Sequence, residues 1–330
     1  MSHADLTQLS YGSLFIKEVV IPNARRFKAL SCPPILPGQW HSLPFDSLTT
    51  LYLSSSPFPI YENEQLNAPS LRTLGIIGIA KNHAVERGSS KLRGRLPEMP
   101  WKQLTSIELT GTIPFIDIYW ILSNSTSLEK CVVNSSYQHS RRGITDLPVV
   151  NMPNLKDLQI SFVSSWDFGD LTHLDPPNLI SLTTTTTSRG ELNEVLPNFL
   201  MARAETLRHF TIIPANFSIY YTPGLMSEIP LVTHFSARGE VLNLSELADI
   251  GRGQLLPNVE VLEFAAYFKD TISAVLDALL PLEGDRTQSL KQITIVTNGK
   301  KHQRPEIRIE DLRSQGIIIS LIEENTIAYF

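Results

Sequence analysis

The chain has 330 residues, 42% of them hydrophobic and 18% charged, which describes a folded protein and not a disordered one. Its formal charge of −5 and pI near 5.9 argue against a general binder of nucleic acid or of an anionic membrane, since either needs a basic face. Cys32 and Cys131 are its two cysteines. They are too few to staple a chain of this length, so a reducing compartment, cytoplasmic or nuclear, is expected.

The opening residues, MSHADLTQLS, lack the basic start and apolar run of a signal peptide, and no stretch approaches the length of a membrane span. Asn-x-Ser/Thr sequons at Asn124, Asn134, Asn216 and Asn243 are close to chance in so Ser/Thr-rich a chain. From the N-terminus onward one pattern recurs, L-x-x-L-x-L. Weak units begin at Leu6 (LTQLSY) and Phe27 (FKALSC). Clear units begin at Leu48, Leu71, Leu104, Leu128, Leu155, Leu179, Leu207, Val232, Val259 and Leu290. From Leu48 the spacings are 23, 33, 24, 27, 24, 28, 25, 27 and 31 residues, mostly within the 20–29 range of leucine-rich repeats.

Between the units the chain takes two forms. Before Leu128, Leu207 and Leu290 it reads as amphipathic helix (FIDIYWILSNSTS, ELNEVLPNFLMARAET and TISAVLDALLPL). Before Leu155, Leu179 and Val259 it is short and ends Pro-Asn, which steers the chain into an extended segment. Helical returns are thus expected at every third unit. RGSSKLRGR (Arg87–Arg95) reads as an inserted solvated loop that could instead grip an acidic or phosphorylated peptide. The threonine run from Leu182 to Ser188 reads as strand and turn, with Thr184 inward and Thr183 and Thr185 outward. NFSIYYTPGLM (Asn216–Met226) reads as packing of a return or, alternatively, as an exposed partner patch, and NGKKHQR (Asn298–Arg304) as a charged turn. EIRIEDLRSQGIIISLIEE (Glu306–Glu324) reads as a helix stopped by Gly316 and one last strand.

In each unit the last two hydrophobes are two apart, so they share one side of a short strand. The expectation is an α/β leucine-rich-repeat solenoid: a curved parallel sheet on the concave face, with helices and irregular returns on the convex face. One such array spans 1–330, with weak repeats over 1–47, clear ones over 48–296 and a capping unit over 297–330.

Met99–Val133, followed by MPNLKDLQI (Met152–Ile160) and PPNLISL (Pro176–Leu182), resembles the leucine-rich region of F-box-type proteins expanded in mushroom-forming fungi. There a Pro-Trp-x-x-Leu-Thr unit, a helix, a Leu-Glu-x-Cys unit and a Pro-Asn-Leu unit follow one another, and the likeness covers roughly residues 40–325. The resemblance implies the substrate-recognition part of an F-box-like ubiquitin-ligase receptor. Residues 1–40 contain no Leu-Pro-x-Glu-type opening of an F-box, so a Skp-type adaptor is expected as a partner only with an F-box upstream. The alternative is a scaffolding repeat protein unconnected to ubiquitin.

No motif for metalloprotease, thiol redox, P-loop or nucleophile-elbow chemistry occurs. The third, fifth and seventh positions of each unit flank the inward pair and face outward. Stacking third positions gives Asp157, Ser181, His209 and His234. A hydrolytic triad needs the histidine between nucleophile and carboxylate, and here the serine is in the middle. A His209–His234 metal site has only Ser181 and Val261 beside it, neither a good ligand. No catalytic residue, cofactor or metal is therefore expected, and the chain is read as a non-enzymatic, monomeric protein binder. The candidate partner-binding residues are Tyr52, Glu108, Lys130, Asp157, Gln159, His209, His234, Arg238 and Glu263, interleaved with Ser and Thr.

Overall fold

The computed structural model describes residues 16–32, 43–54, 65–79, 98–113, 115–135, 147–162, 168–186, 195–214, 225–237, 242–266, 272–279, 289–297 and 306–323. The chain divides into two compact units, Met1–Leu155 with His173–Pro176, and Lys156–Thr172 with Pro177–Phe330. Both are α/β and built on parallel strands, and each repeat from Phe27 to Leu290 supplies one strand.

The first unit holds β1 (Ala29–Cys32), β2 (Thr50–Ser54), β3 (Thr73–Ile79), β4 (Ser106–Gly111) and β5 (Lys130–Ser135), paired side by side in chain order. It also holds a small parallel pair, β6 (Val150–Asn151) with β8 (Leu174–Asp175), and helix α1 (Phe115–Asn124). Among the described residues, the second unit has seven parallel strands in chain order: β7 (Asp157–Phe162), β9 (Ser181–Thr186), β10 (His209–Pro214), β11 (His234–Ala237), β12 (Val261–Ala266), β13 (Gln292–Thr297) and β14 (Ile318–Glu323). Its helices are α2 (Val195–Met201), α3 (Leu244–Gly251), α4 (Ile272–Leu279) and α5 (Glu306–Ser314).

The strand register follows the repeat register. The fourth position of successive units is Leu30, Leu51, Leu74, Ile107 and Cys131 in the first unit, and Leu158, Leu182, Phe210, Phe235, Leu262 and Ile293 in the second. Every one is buried. The sixth position is equally buried and apolar except at Thr184. Each large inward side chain contributes roughly 1.5–3 kcal/mol of transfer free energy. Phe210 and Phe235 face each other across paired strands with ring centres 5.8 Å apart. The burial pattern of β9 puts Thr184 inward, with Thr183 and Thr185 half-buried on the other side, as the alternation predicts.

The same repeat spacing sets a ladder of hydrogen bonds where each strand begins. The second-position carbonyl of one repeat accepts two backbone N–H groups from the next, as at Arg208, which accepts from Thr233 and His234. At several units the residue just before adds a side-chain rung. Asn154 donates to the Thr126 carbonyl (3.2 Å) and Asn258 to that of Pro230 (2.9 Å), each spanning 28 residues. Ser70, Thr206 and Ser289 do the same to Asp46, Pro177 and Pro257. The recurring Asn therefore ties its turn to the turn of the preceding repeat, satisfying a carbonyl that no strand reaches.

Helices form before Leu128, Leu207 and Leu290, as the sequence predicts. The expected non-helical return before Val259 is corrected. That return carries α3, opened by a full capping box in which the Asn243 side chain accepts from the Glu246 N–H and the Glu246 carboxylate accepts from the Asn243 N–H. Pro257-Asn258 follows the helix and so does not preclude it. Helical returns therefore do not fall at every third repeat. The final helix ends at Gly316, whose φ of +82° suits glycine, before β14 begins. Leu6, the Arg87–Arg95 loop and Asn298–Arg304 lie outside the described residues, as does most of Asn216–Met226, of which Leu225 and Met226 are buried. Among the described residues, no helix is long and apolar enough to cross a membrane.

Candidate functional site

Because the fourth and sixth positions point inward, the third and fifth point the other way on every strand. In the first unit this outward face carries Thr50, Thr73, Ser106 and Lys130 along one row, and Tyr52, Gly75, Glu108 and Val132 along the next. Tyr52 lies over Gly75. A Cβ at that glycine would fall 2.0 Å from the tyrosine Cδ1, so the missing side chain is what lets the ring rest on the sheet.

In the second unit the third-position row runs Asp157, Ser181, His209, His234, each residue directly paired with the next. The fifth-position row runs Gln159, Thr183, Thr211, Ser236, Glu263. The Ser236 hydroxyl donates to Oε2 of Glu263 at 3.1 Å. The rings of His209 and His234 meet edge to face, with centres 4.4 Å apart and planes at 73°. Desolvation, then the charge of His234, lowers the His209 pKa below its usual 6.5, while the carboxylate of Asp157 pulls it partly back.

Thr233, which the sequence reasoning passed over, orients His234. Its hydroxyl donates to the Arg208 carbonyl at 3.3 Å and contacts Nδ1 of His234 at 2.9 Å. Thr49 and Thr105, at the same position of their repeats, donate to the equivalent carbonyls of Lys28 and Arg72. A threonine recurring at the second position was the signal that could have found it.

Of the residues singled out as partner contacts, Tyr52, Glu108 and Lys130 lie on the outward face of the first unit. Asp157, Gln159, His209, His234 and Glu263 lie on that of the second. Arg238 lies outside the described residues. Ser181 separates Asp157 from His209 by a full strand spacing on either side, so carboxylate and imidazole are two strands apart and no triad is formed. Among the described residues no group of three or more His, Cys, Asp or Glu side chains is gathered to hold a metal ion. Both cysteines are buried, and burial pushes the Cys32 thiol up to about 12, where it is unreactive. What the row offers chemically is a set of hydrogen-bonding and charged groups on a rigid sheet.

No protein-family model matches the chain, and no curated protein matches it.

Proposed function

We propose that the chain is a leucine-rich-repeat solenoid that binds a protein partner through the outward face of its strands and has no catalytic activity of its own. The finer reading is that it is the substrate-recognition part of an F-box-like ubiquitin-ligase receptor. What supports the binding reading most is the run Asp157, Ser181, His209, His234, with Gln159, Ser236 and Glu263 beside it. Each residue is supplied by a different repeat, and each is fixed in register by the buried row on the opposite side. Mixed charge on a rigid sheet gives orientation and specificity, and the small Ser and Thr side chains between let a partner backbone approach. The ubiquitin-ligase part rests on the resemblance of Met99–Leu182 to fungal F-box-type repeats.

The test is affinity capture from the native cell with the full-length gene product, comparing wild type with a variant in which Asp157, Gln159, His234 and Glu263 are all alanine. Loss of a specific partner from the variant, with hydrogen-exchange protection over β7 to β12 in the wild type, is the expected outcome. Protection confined to α1 or α2, or an unchanged set of partners, would overturn it. If the captured partner's ubiquitination and lifetime do not change when the gene is deleted, the ligase reading fails while the binding reading stands.

A further inference from the structure

We infer that two copies of this chain join edge to edge through β14 (Ile318–Glu323), as an antiparallel pair whose two-fold axis passes through Ser320. This departs from the monomer that the sequence leads one to expect.

The edge itself is the first observation. Among the described residues β14 has a strand on one side only, β13. The Ile318 N–H donates to the Lys291 carbonyl at 2.8 Å. Alternation therefore turns the backbone groups of Ile318, Ser320 and Ile322 toward β13, and those of Ile319 and Leu321 toward the open edge. The edge groups of Ile319 and Leu321 have no partner among the described residues. Such an edge is a template for another strand unless a proline, a lysine or a bulge blunts it. None of these interrupts β14, which keeps register with β13 along its whole length. Its outward side chains add an apolar contact, with Ile318 62% exposed and Ile322 49%. β1, which likewise has one neighbouring strand among the described residues, is only four residues long and presents outward Ala29 and Ser31.

The occupant is read from the symmetry of the strand. About Ser320 it runs Ile-Ile-Ser-Leu-Ile, apolar at both positions on either side. An antiparallel second copy centred there sets Ile318 against Ile322 of the partner subunit, and the reverse. It also sets Ile319 against Leu321 of the partner subunit, which are the residues whose N–H and C=O groups face the edge. Each of those two pairs exchanges both hydrogen bonds, so every edge group of Ile319 and Leu321 is satisfied. A shift of two residues either way places an isoleucine against a serine, and a shift of one opposes the two faces of the sheet. Self-complementarity of this kind is what an isologous two-fold interface needs. An unrelated partner strand would not require it.

The experiment is sedimentation equilibrium of the isolated full chain through the micromolar range, where a dimer is expected. Ile318→Lys with Ile322→Lys sets lysine against lysine twice and should weaken the dimer on the order of a hundredfold. Ile318→Glu with Ile322→Lys instead sets acid against base twice and should keep the dimer, now sensitive to salt. Mild oxidation should cross-link Ser320→Cys into a covalent dimer. A residue on the axis meets its own copy with Cα atoms about 4.5 Å apart, within disulfide reach. Ile318→Cys, which faces an isoleucine, should not cross-link, and the buried Cys32 and Cys131 stay silent. Ile318 and Ile322 are exposed and Ser320 is half-buried, and thermal melts verify that each variant keeps the fold. A wild-type chain that stays monomeric, a dimer that tolerates the two lysines, or cross-linking at position 318 in place of 320 would overturn the proposal. No other protein is present, so its failure leaves the partner-binding reading untouched.

Discussion

In the first unit the outward rows set Tyr52 over Gly75 and carry one acid and one base, Glu108 and Lys130, among threonine and serine; in the second the equivalent rows carry Asp157, Gln159, His209, His234 and Glu263. The inward rows do not differ in this way. Leu51, Leu74 and Ile107 in one unit and Leu158, Leu182 and Leu262 in the other are all buried aliphatics at the same repeat position. The contrast separates two duties of one strand. The inward residues specify the sheet's buried side and are interchangeable within a size class, whereas the outward residues are less constrained by packing and can differ between the two units.

The sharpest way to break that separation is to exchange duties at neighbouring positions. Leu158 is 1% exposed, while Asp157 beside it faces out. Leu158→Asp strands a carboxylate among apolar side chains and should cost on the order of 3 kcal/mol or more. Asp157→Ala should stay within about 0.5 kcal/mol. Urea melts of the two variants decide it, and equal effects would mean that the inward and outward rows are wrongly assigned.

Glycine sharpens the comparison further, because each unit uses one for close approach. A Cβ on Gly251 in α3 would lie 2.8 Å from the Leu279 carbonyl oxygen at the end of α4. Backbone cannot swing aside, so Gly251→Ala should push the two helices apart at a cost of about 1–3 kcal/mol. Gly75→Ala meets the Tyr52 ring instead. There the side chain can rotate away, so the expected result is a smaller loss of stability with a more exposed tyrosine, read by thermal melts and by tyrosine accessibility.

A smaller effect of opposite sign is expected at Thr184, the polar exception in the sixth-position row. Its hydroxyl is buried, and its Oγ1 has no hydrogen-bond partner among the described residues. Thr184→Val keeps the shape and removes an unsatisfied polar group, so it should stabilise the second unit by about 1 kcal/mol. A destabilised variant would mean that the hydroxyl is satisfied after all.

How much of this could be read from the sequence follows from which forces are local in the chain. The strands at Leu48 through Leu290 were legible because burial imposes the L-x-x-L-x-L spacing on each of them directly. The outward rows were legible for the same reason, since alternation fixes both faces at once. The helix α3 was legible in principle: Asn243 and Glu246 stand at capping-box spacing, but the Pro-Asn that follows drew the reading toward an extended return. The role of the recurring Asn was not legible. Its partner carbonyl lies 28 residues back, and only the stacking of repeats brings the two together. The same holds for the edge-to-face meeting of His209 and His234, whose register was predictable but whose ring geometry was not.

The smallest effect tests whether the outward row of the second unit is coupled at all. His209 has its pKa lowered by desolvation first and by His234 second, and Asp157 opposes both. The folded state therefore binds a proton at His209 less readily than the unfolded chain does. Above the unfolded value near 6.5 both states are neutral there and the residue contributes no pH dependence. As the pH falls through 6.5 toward the lower folded value, protonation favours the unfolded state and stability declines. His209→Gln should remove this part of the decline, and His234→Gln should shrink it by removing the neighbouring positive charge. Asp157→Asn should enlarge it, because the one group that holds the proton on His209 is gone. Urea midpoints at about pH 7.5 and 5.5 measure each slope against wild type. Because the ring is largely exposed, the shifts should be modest, so their order among the three variants is the decisive reading. An Asp157→Asn slope no steeper than wild type would mean that carboxylate and imidazole, two strands apart, do not sense each other.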